Sequence, residues 1–378
     1  MAKEVFAPGE YISEELEARG WTQDDLARVM GRSLPAINKI ISGKTPITPE
    51  IAIELGAAFS TSAEVWLNLE AHYRLSRSGQ PDENISRRAR LYSLAPVKFM
   101  EKRGWLRNTR TTEQLEDKLR GFYNVKALNE LPELEMAARA GGAGKEEIWA
   151  ARLAWAIRIK NLAASLKAAP FDSLGEAKLG EIRRLAKRPE DIEQVPALLA
   201  RLGIRFLVVE HLPRTKIDGI ALWLSEHDPV IGMSLRYDRI DYFWHTLMHE
   251  LSHIHNRDKE IVDVDLFGDK TAETESEKRA NKEAAETLVD PGSMEAFTRE
   301  GGSFYDQSDI VSFAEEIGVH PGIIVGQLQY HNIIPYSLHR QMLVKVRHYA
   351  LRNACVDGWP IASSLAHLTH LPKLRERR

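Results

Sequence analysis

The chain has 378 residues, 43% hydrophobic and 28% charged, with a formal net charge of −3. These values fit an ordinary packed protein of two or three domains and exclude a polybasic, strongly acidic or low-complexity chain. No apolar run approaches a membrane span, Met1 to Glu10 lacks the basic and apolar segments of a signal peptide, and the one cysteine, Cys355, has no partner for an internal disulfide, so a cytoplasmic protein with no membrane partner is expected.

Residues 1–75 read as a compact all-α domain. Pro8 opens a helix that Gly20 ends, Thr22 caps a second helix to Met30, and Gly31 turns the chain into a third that Ser33 caps and Gly43 stops. Thr48-Pro49 begins a fourth helix and Ser62 a fifth, each with a capping residue ahead of its first turn. Leu16, Leu26, Ala27, Ile37, Ile40, Ile41, Ile51 and Leu55 are the expected core. Two short helices about a glycine turn make a helix-turn-helix, whose second helix would enter a major groove of DNA. That nominates Ser33, Pro35, Ala36, Asn38 and Lys39 for the bases and Gln23, Arg32 and Lys44 for the phosphates. Asn suits a bidentate contact to adenine, and Lys suits guanine or phosphate. The domain is acidic overall, but its cations gather around the third helix. One such helix reads few base pairs, so a homodimer on a palindromic operator is expected.

Residues 76–190 are expected to be a linker, Ser76 to Asn84, followed by helices. Ile85 to Tyr123 carries a basic face with Arg87, Arg88, Arg90, Lys98, Lys102, Arg103 and Arg107; Gly141 to Gly144 is a break; Ile148 to Leu166 and Glu176 to Lys187 are helical. Strands follow at Ile204 to Val209, Gly219 to Leu224 and Pro229 to Leu235, each short, rich in branched or aromatic residues and bounded by turn formers.

Asp241 to Asn256 then contains His249-Glu250-Leu251-Ser252-His253. On a helix the two histidines lie on one face, where both can bind one metal ion while Glu250 stands beside an open coordination position. That is the arrangement of a zinc peptidase, because zinc acidifies a bound water and a carboxylate must carry its proton to the leaving amine. Trp244, Leu247, Met248, Leu251 and Ile254 would bury the helix. A second helix downstream, with Ala280, Ala284 and Leu288 on its apolar stripe, offers Glu277 as third Zn2+ ligand and Asn281 behind the ligands as a hydrogen-bonding partner; Glu273, Glu275, Glu283 and Glu286 are rivals for the third place. Ser308 to Ile317 and Pro321 to Tyr330 read as a helix pair, and 341–378 as a basic C-terminal helix, Arg340 to Asn353, with a tail.

Pro8-Gly9-Glu10, Trp21-Thr22-Gln23, Gly31-Arg32-Ser33, Ser42-Gly43-Lys44 and Trp66-Leu67-Asn68-Leu69 resemble, in order, the Xre-like HigA/VapI-type antitoxin repressors. Residues from about Leu198 to Pro335 resemble the ImmA/IrrE zinc-peptidase-like family through Asp238 to Asp241, the His249 to His253 motif, Glu277 with Ala280-Asn281, and His320 to Leu328. The resemblance implies an α+β, mostly helical fusion: the helix-turn-helix domain and a zincin, thermolysin-like domain with a small sheet at 191–340. It also implies His320 as a transition-state donor beside Glu250. Glu283, Asp290 and His245 depart from the family pattern. Three functions follow as expectations: a DNA-binding repressor or antitoxin that cleaves a cognate regulator or itself on a signal, one whose zinc site is structural or sensory, or a protease-type toxin restrained by a partner. The partners are then promoter or operator DNA and a cognate toxin or repressor protein.

Overall fold

The computed structural model describes residues 5–79, 82–131, 145–258, 274–300 and 305–359. The expected glycine break at Gly141 to Gly144, the rival ligand Glu273 and the tail beyond Trp359 lie outside them. The chain divides into two compact units, Met1–Ile85 and Ser86–Arg378.

The first unit is built of α1 (Pro8–Arg19), α2 (Gln23–Val29), α3 (Leu34–Ile41), α4 (Pro49–Phe59) and α5 (Ala63–Arg77). Its punctuation is local chemistry. Gly20 ends α1 in the left-handed region, the Thr22 hydroxyl accepts the Asp25 N–H while the Asp25 carboxylate accepts the Thr22 N–H, and Thr48 caps α4 ahead of Pro49. The core holds Leu16, Leu26, Ala27, Ile37, Ile40, Ile51 and Leu55 as expected, and adds Ile12, Ile47, Ala52, Phe59 and Trp66. Ile41 is only half-buried. A Cβ at Gly9 would stand 1.8 Å from the Ile41 carbonyl oxygen, so this glycine lets α1 press onto the end of α3.

The second unit is mostly helical around a small mixed sheet. Before the sheet come α6 (Glu83–Leu94), α7 (Val97–Lys102), α8 (Thr112–Tyr123), α9 (Lys145–Ala163), α10 (Glu176–Arg183) and α11 (Val195–Arg201). The strands β1 (Arg205–Val209), β2 (Gly219–Trp223), β3 (Pro229–Met233) and β4 (Cys355–Asp357) lie in the order β2-β3-β1-β4. β1 runs parallel to β3 and β4, and β2 pairs antiparallel with β3, Ala221 opposite Ile231. Alternate residues serve two cores. Leu207, Val209, Ile220 and Leu222 face the side of α9, where Trp155 donates to the Val209 carbonyl at 2.9 Å and Ile159 packs over Gly232. Phe206, Val208, Ala221 and Ile231 face the opposite core, formed by α12 (Ile240–Asn256), α13 (Glu275–Leu288), α15 (Gln307–Ile317) and α16 (Pro321–Tyr330), with α14 (Pro291–Glu300) between α13 and α15 in sequence. This period-2 alternation is what a sheet covered on both faces requires.

Two expectations change here. Arg340 to Asn353 is not one helix but a 3-10 turn, Arg340–Met342, and a short helix, α17 (Arg347–Ala350), leading into β4. Long-range hydrogen bonds take this backbone: Asp238 accepts the N–H groups of Val346 and Arg347 at 2.9 and 2.7 Å, and Ile240 donates to the Val344 carbonyl at 3.0 Å. The basic face near α6 and α7 is partly structural, since Arg103 binds Glu210 and the His211 carbonyl, Arg87 pairs with Glu116, and Arg88 reaches the carbonyls of Thr109 and Arg110.

Candidate metal centre and nucleic-acid interface

The helix that carries the two histidines, α12, forms because its apolar residues fall at helical spacing. Phe243, Trp244, Leu247, Met248, Leu251 and Ile254 are all buried. Its N-terminal end is anchored by Asp241, which takes both arms of Arg239 at 2.7 and 3.0 Å. Thr274 caps α13, and the fully buried Ala280 and Ala284 allow a close approach to α12.

That approach brings His249, His253 and Glu277 together. His249 Nε2 and His253 Nε2 are 3.0 Å apart, and the Glu277 oxygens lie 3.1 Å from His253 Nε2 and 3.3 Å from His249 Nε2. Donors at 2.0–2.1 Å from one tetrahedral ion stand about 3.3 Å apart, so this triangle has the size of a zinc face. The rings are oriented to match, with His249 Nδ1 at 2.9 Å from Asn281 Oδ1 and His253 Nδ1 at 3.1 Å from Asp258 Oδ2. Each imidazole therefore turns its other nitrogen toward the triangle. The donor set and its geometry fit a zinc ion.

Glu250 is 5% exposed and lies against β2; a Cβ at Gly219 would sit 2.4 Å from its Oε1, and the Ala221 backbone hydrogen-bonds it. Burial pushes its carboxyl above the usual range, against the pull of His249 and His253. The rival acids go elsewhere. Glu283 accepts from Ser252 at 2.6 Å and Asn256 at 2.9 Å, while Glu275 pairs with Lys278 and Glu286 with Lys282. The His245 ring lies tilted against His249, 6.4 Å from centroid to centroid, and shares Asn281; burial lowers its pKa. His255 binds the Leu174 carbonyl.

His320 does not join the site. It caps α16, its Nδ1 accepting the Gly322 N–H at 3.0 Å, and its own N–H donates to the Ala186 carbonyl at 2.8 Å. Gly322 packs on Ile240, the first residue of α12, about 14 Å along the helix from His249 at 1.5 Å per residue. A histidine before Pro321 is here part of the helix start. Asp258, by contrast, was not singled out by the sequence. Its only sequence signal is its place just past the helix stop, five residues after His253.

In the first unit Gln23, Ser33, Pro35, Asn38, Lys39 and Lys44 are exposed, and Ala36 is half-buried. The turn at Gly31 and the extended Ser33 present the first turn of α3 outward. Leu34, 39% exposed at that end, is a further apolar candidate for a thymine methyl. Arg32 is engaged within the unit: its Nε and Nη2 both bind the Glu54 carboxylate, tying the turn to α4.

These two short helices about a glycine turn define a helix-turn-helix, and a helix-turn-helix family profile matches residues 12–66. The chain is 31% identical over 84 residues to the uncharacterized HTH-type transcriptional regulator YddM of Escherichia coli (strain K12), covering 22% of this chain and 88% of the relative. It is 35% identical over 74 residues to virulence-associated protein A' of Dichelobacter nodosus, covering 19% of this chain and 64% of that one. Among solved structures, the Pseudomonas aeruginosa antitoxin HigA with higBA promoter matches at 35% identity and a TM-score of 0.19, over 20% of this chain and 82% of that one. The chain belongs to the helix-turn-helix family of transcriptional regulators, with its DNA-binding domain in the first unit. Among the described residues no helix is long and apolar enough to cross a membrane.

Proposed function

We propose that this regulator binds promoter DNA through α3, as a homodimer, and that its larger unit holds one zinc ion through His249, His253 and Glu277 and hydrolyses a peptide bond of a cognate regulator, or of this chain, on a signal. The observation that carries the metal half is the triangle of donor atoms with both imidazoles fixed from behind. When bound, zinc would polarise a carbonyl and acidify a water. Glu250, next to His249 in sequence, has its proton affinity raised by burial, which suits it to take a proton from that water and pass it to the leaving amine. Among the described residues β2 pairs only with β3, so its other edge can hold an extended peptide by backbone hydrogen bonds above Glu250. This is the zincin-like reading of the larger unit. The DNA half is supported by the relatives named as transcriptional regulators and by the exposed polar residues of α3.

One observation favours a second reading, in which the metal is structural or sensory: the Glu250 side chain is covered by β2. Metal analysis of the purified chain with Glu250→Gln separates the two. The variant is expected to keep about one zinc per chain, to bind promoter DNA as before, and to lose cleavage of the cognate protein. Equal cleavage, or an equal response to the inducing signal, by wild type and Glu250→Gln would leave the sensory reading.

A further inference from the structure

We infer that Asp258 is a positioning residue of the metal centre, holding the second histidine ligand from behind, and that Arg279 keeps it there. The inference rests on the zinc reading above. His253 lies in the last turn of α12, where helices fray and where a ligand is hardest to hold still. The helix stops on Arg257, which adopts a left-handed conformation with φ 53° although it carries a side chain. This reversal sends the next residue back under the final turn. The Asp258 N–H then donates to the His253 carbonyl at 3.0 Å while the Asp258 carboxylate meets His253 Nδ1 at 3.1 Å. One residue thus fixes both the backbone and the ring of a ligand.

Arg279 completes the arrangement from the other helix by donating to Asp258 Oδ2. It stands between Glu277, the third ligand, and Asn281, the partner of His249, so α13 supplies a ligand, one direct ring support and the tether of the other support. The two histidines are held differently. His249 meets a neutral amide oxygen and His253 a carboxylate. A carboxylate accepting Nδ1–H from the neutral ring fixes the tautomer with Nε2 as the ligand atom and makes that nitrogen a stronger donor. Arg279 offsets the added negative charge.

A plain interhelical hydrogen bond would join the same elements without acting on the metal. The Glu283 carboxylate supplies that comparison, because it ties α13 to Ser252 and Asn256 of α12 and touches neither histidine ligand. The experiment measures zinc affinity of the full chain, stripped and reloaded, by competition with a chromophoric chelator, for wild type, Asp258→Ala, Asp258→Asn and Glu283→Gln. Asp258→Ala is expected to weaken zinc binding about 10–100-fold. Asp258→Asn, whose amide oxygen still accepts from Nδ1, should fall between Asp258→Ala and wild type, and Glu283→Gln should bind as wild type does. Wild-type affinity in Asp258→Ala, or an equal loss in Glu283→Gln, overturns the inference while leaving the zinc site. A wild-type chain that takes up no zinc overturns both.

Discussion

At the scale of single residues, the three proposed ligands differ from their neighbours in what each substitution should remove. His249→Ala, His253→Ala and Glu277→Ala are each expected to lower zinc content in elemental analysis, whereas Glu283→Ala should not, because Glu283 faces Ser252. The metal-free site also carries a proton. Burial alone would lower the His253 pKa, but the bonds to Glu277 and Asp258 and the charge of Glu250 outweigh it and push it up to about 9. The shift is upward from 6.5, so the stability it gives the metal-free protein is complete below that pH and is lost as pH rises through about 9. Zinc must displace this proton. Its apparent affinity should therefore rise with pH up to about 9, and calorimetric titrations at pH 7 in buffers of different ionisation enthalpy should show proton release from His253 that disappears above that value. A proton count of zero at neutral pH would mean that the ring enters the site already neutral.

At the scale of elements, α3 and the turn before it have separable roles. Asn38→Ala should cost about 1–3 kcal/mol on the operator and relax preference at one base position, while Lys44→Ala should weaken all DNA similarly and reduce the slope of affinity against salt by about one. Arg32→Ala is a different kind of change. Its pair with Glu54 is about a third exposed on both sides, so about 1 kcal/mol of stability is the upper range. Glu54→Gln should lower the melting temperature by a similar amount if Arg32 acts as a strut, and a loss of DNA affinity confined to Arg32→Ala would return the residue to the phosphates. Gly219→Ala tests the contact between β2 and α12: a methyl 2.4 Å from Glu250 Oε1 must displace the carboxylate or the strand, at a cost of about 1–3 kcal/mol with zinc retained. The sequence made the helix starts and stops of the first unit legible because Gly20, Thr22 and Thr48-Pro49 act on residues within one turn. The small-residue stripe of α13 also pointed to the close approach that sets Glu277 and Asn281 beside the histidines. The sequence did not reveal β4 or the Arg32 pair. Their partners, from Leu207 to Cys355 and Arg32 to Glu54, are far apart in the chain, and no local pattern encodes them.

At the scale of the whole molecule, two units with separate cores should melt separately. Differential scanning calorimetry is expected to show two transitions, and a chelator should move the one belonging to the larger unit and leave the other in place, since ligand binding stabilises only the unit that binds. A single transition, or a chelator effect on both, would show that the units unfold together. The placement of β4 also gives the molecule an order in time. The strand that completes one edge of the sheet, and whose Asp357 receives Trp105 at 2.9 Å and Arg158, arrives long after the reading helix. At 5–20 residues per second, a ribosome makes residue 359 roughly 15–55 s after residue 85. Throughout that interval the nascent chain carries a complete helix-turn-helix sequence and an unfinished second unit. A premature stop before Cys355 should therefore yield a fragment that still occupies operators but lacks an intact second unit, and such alleles should act in trans over the full-length copy.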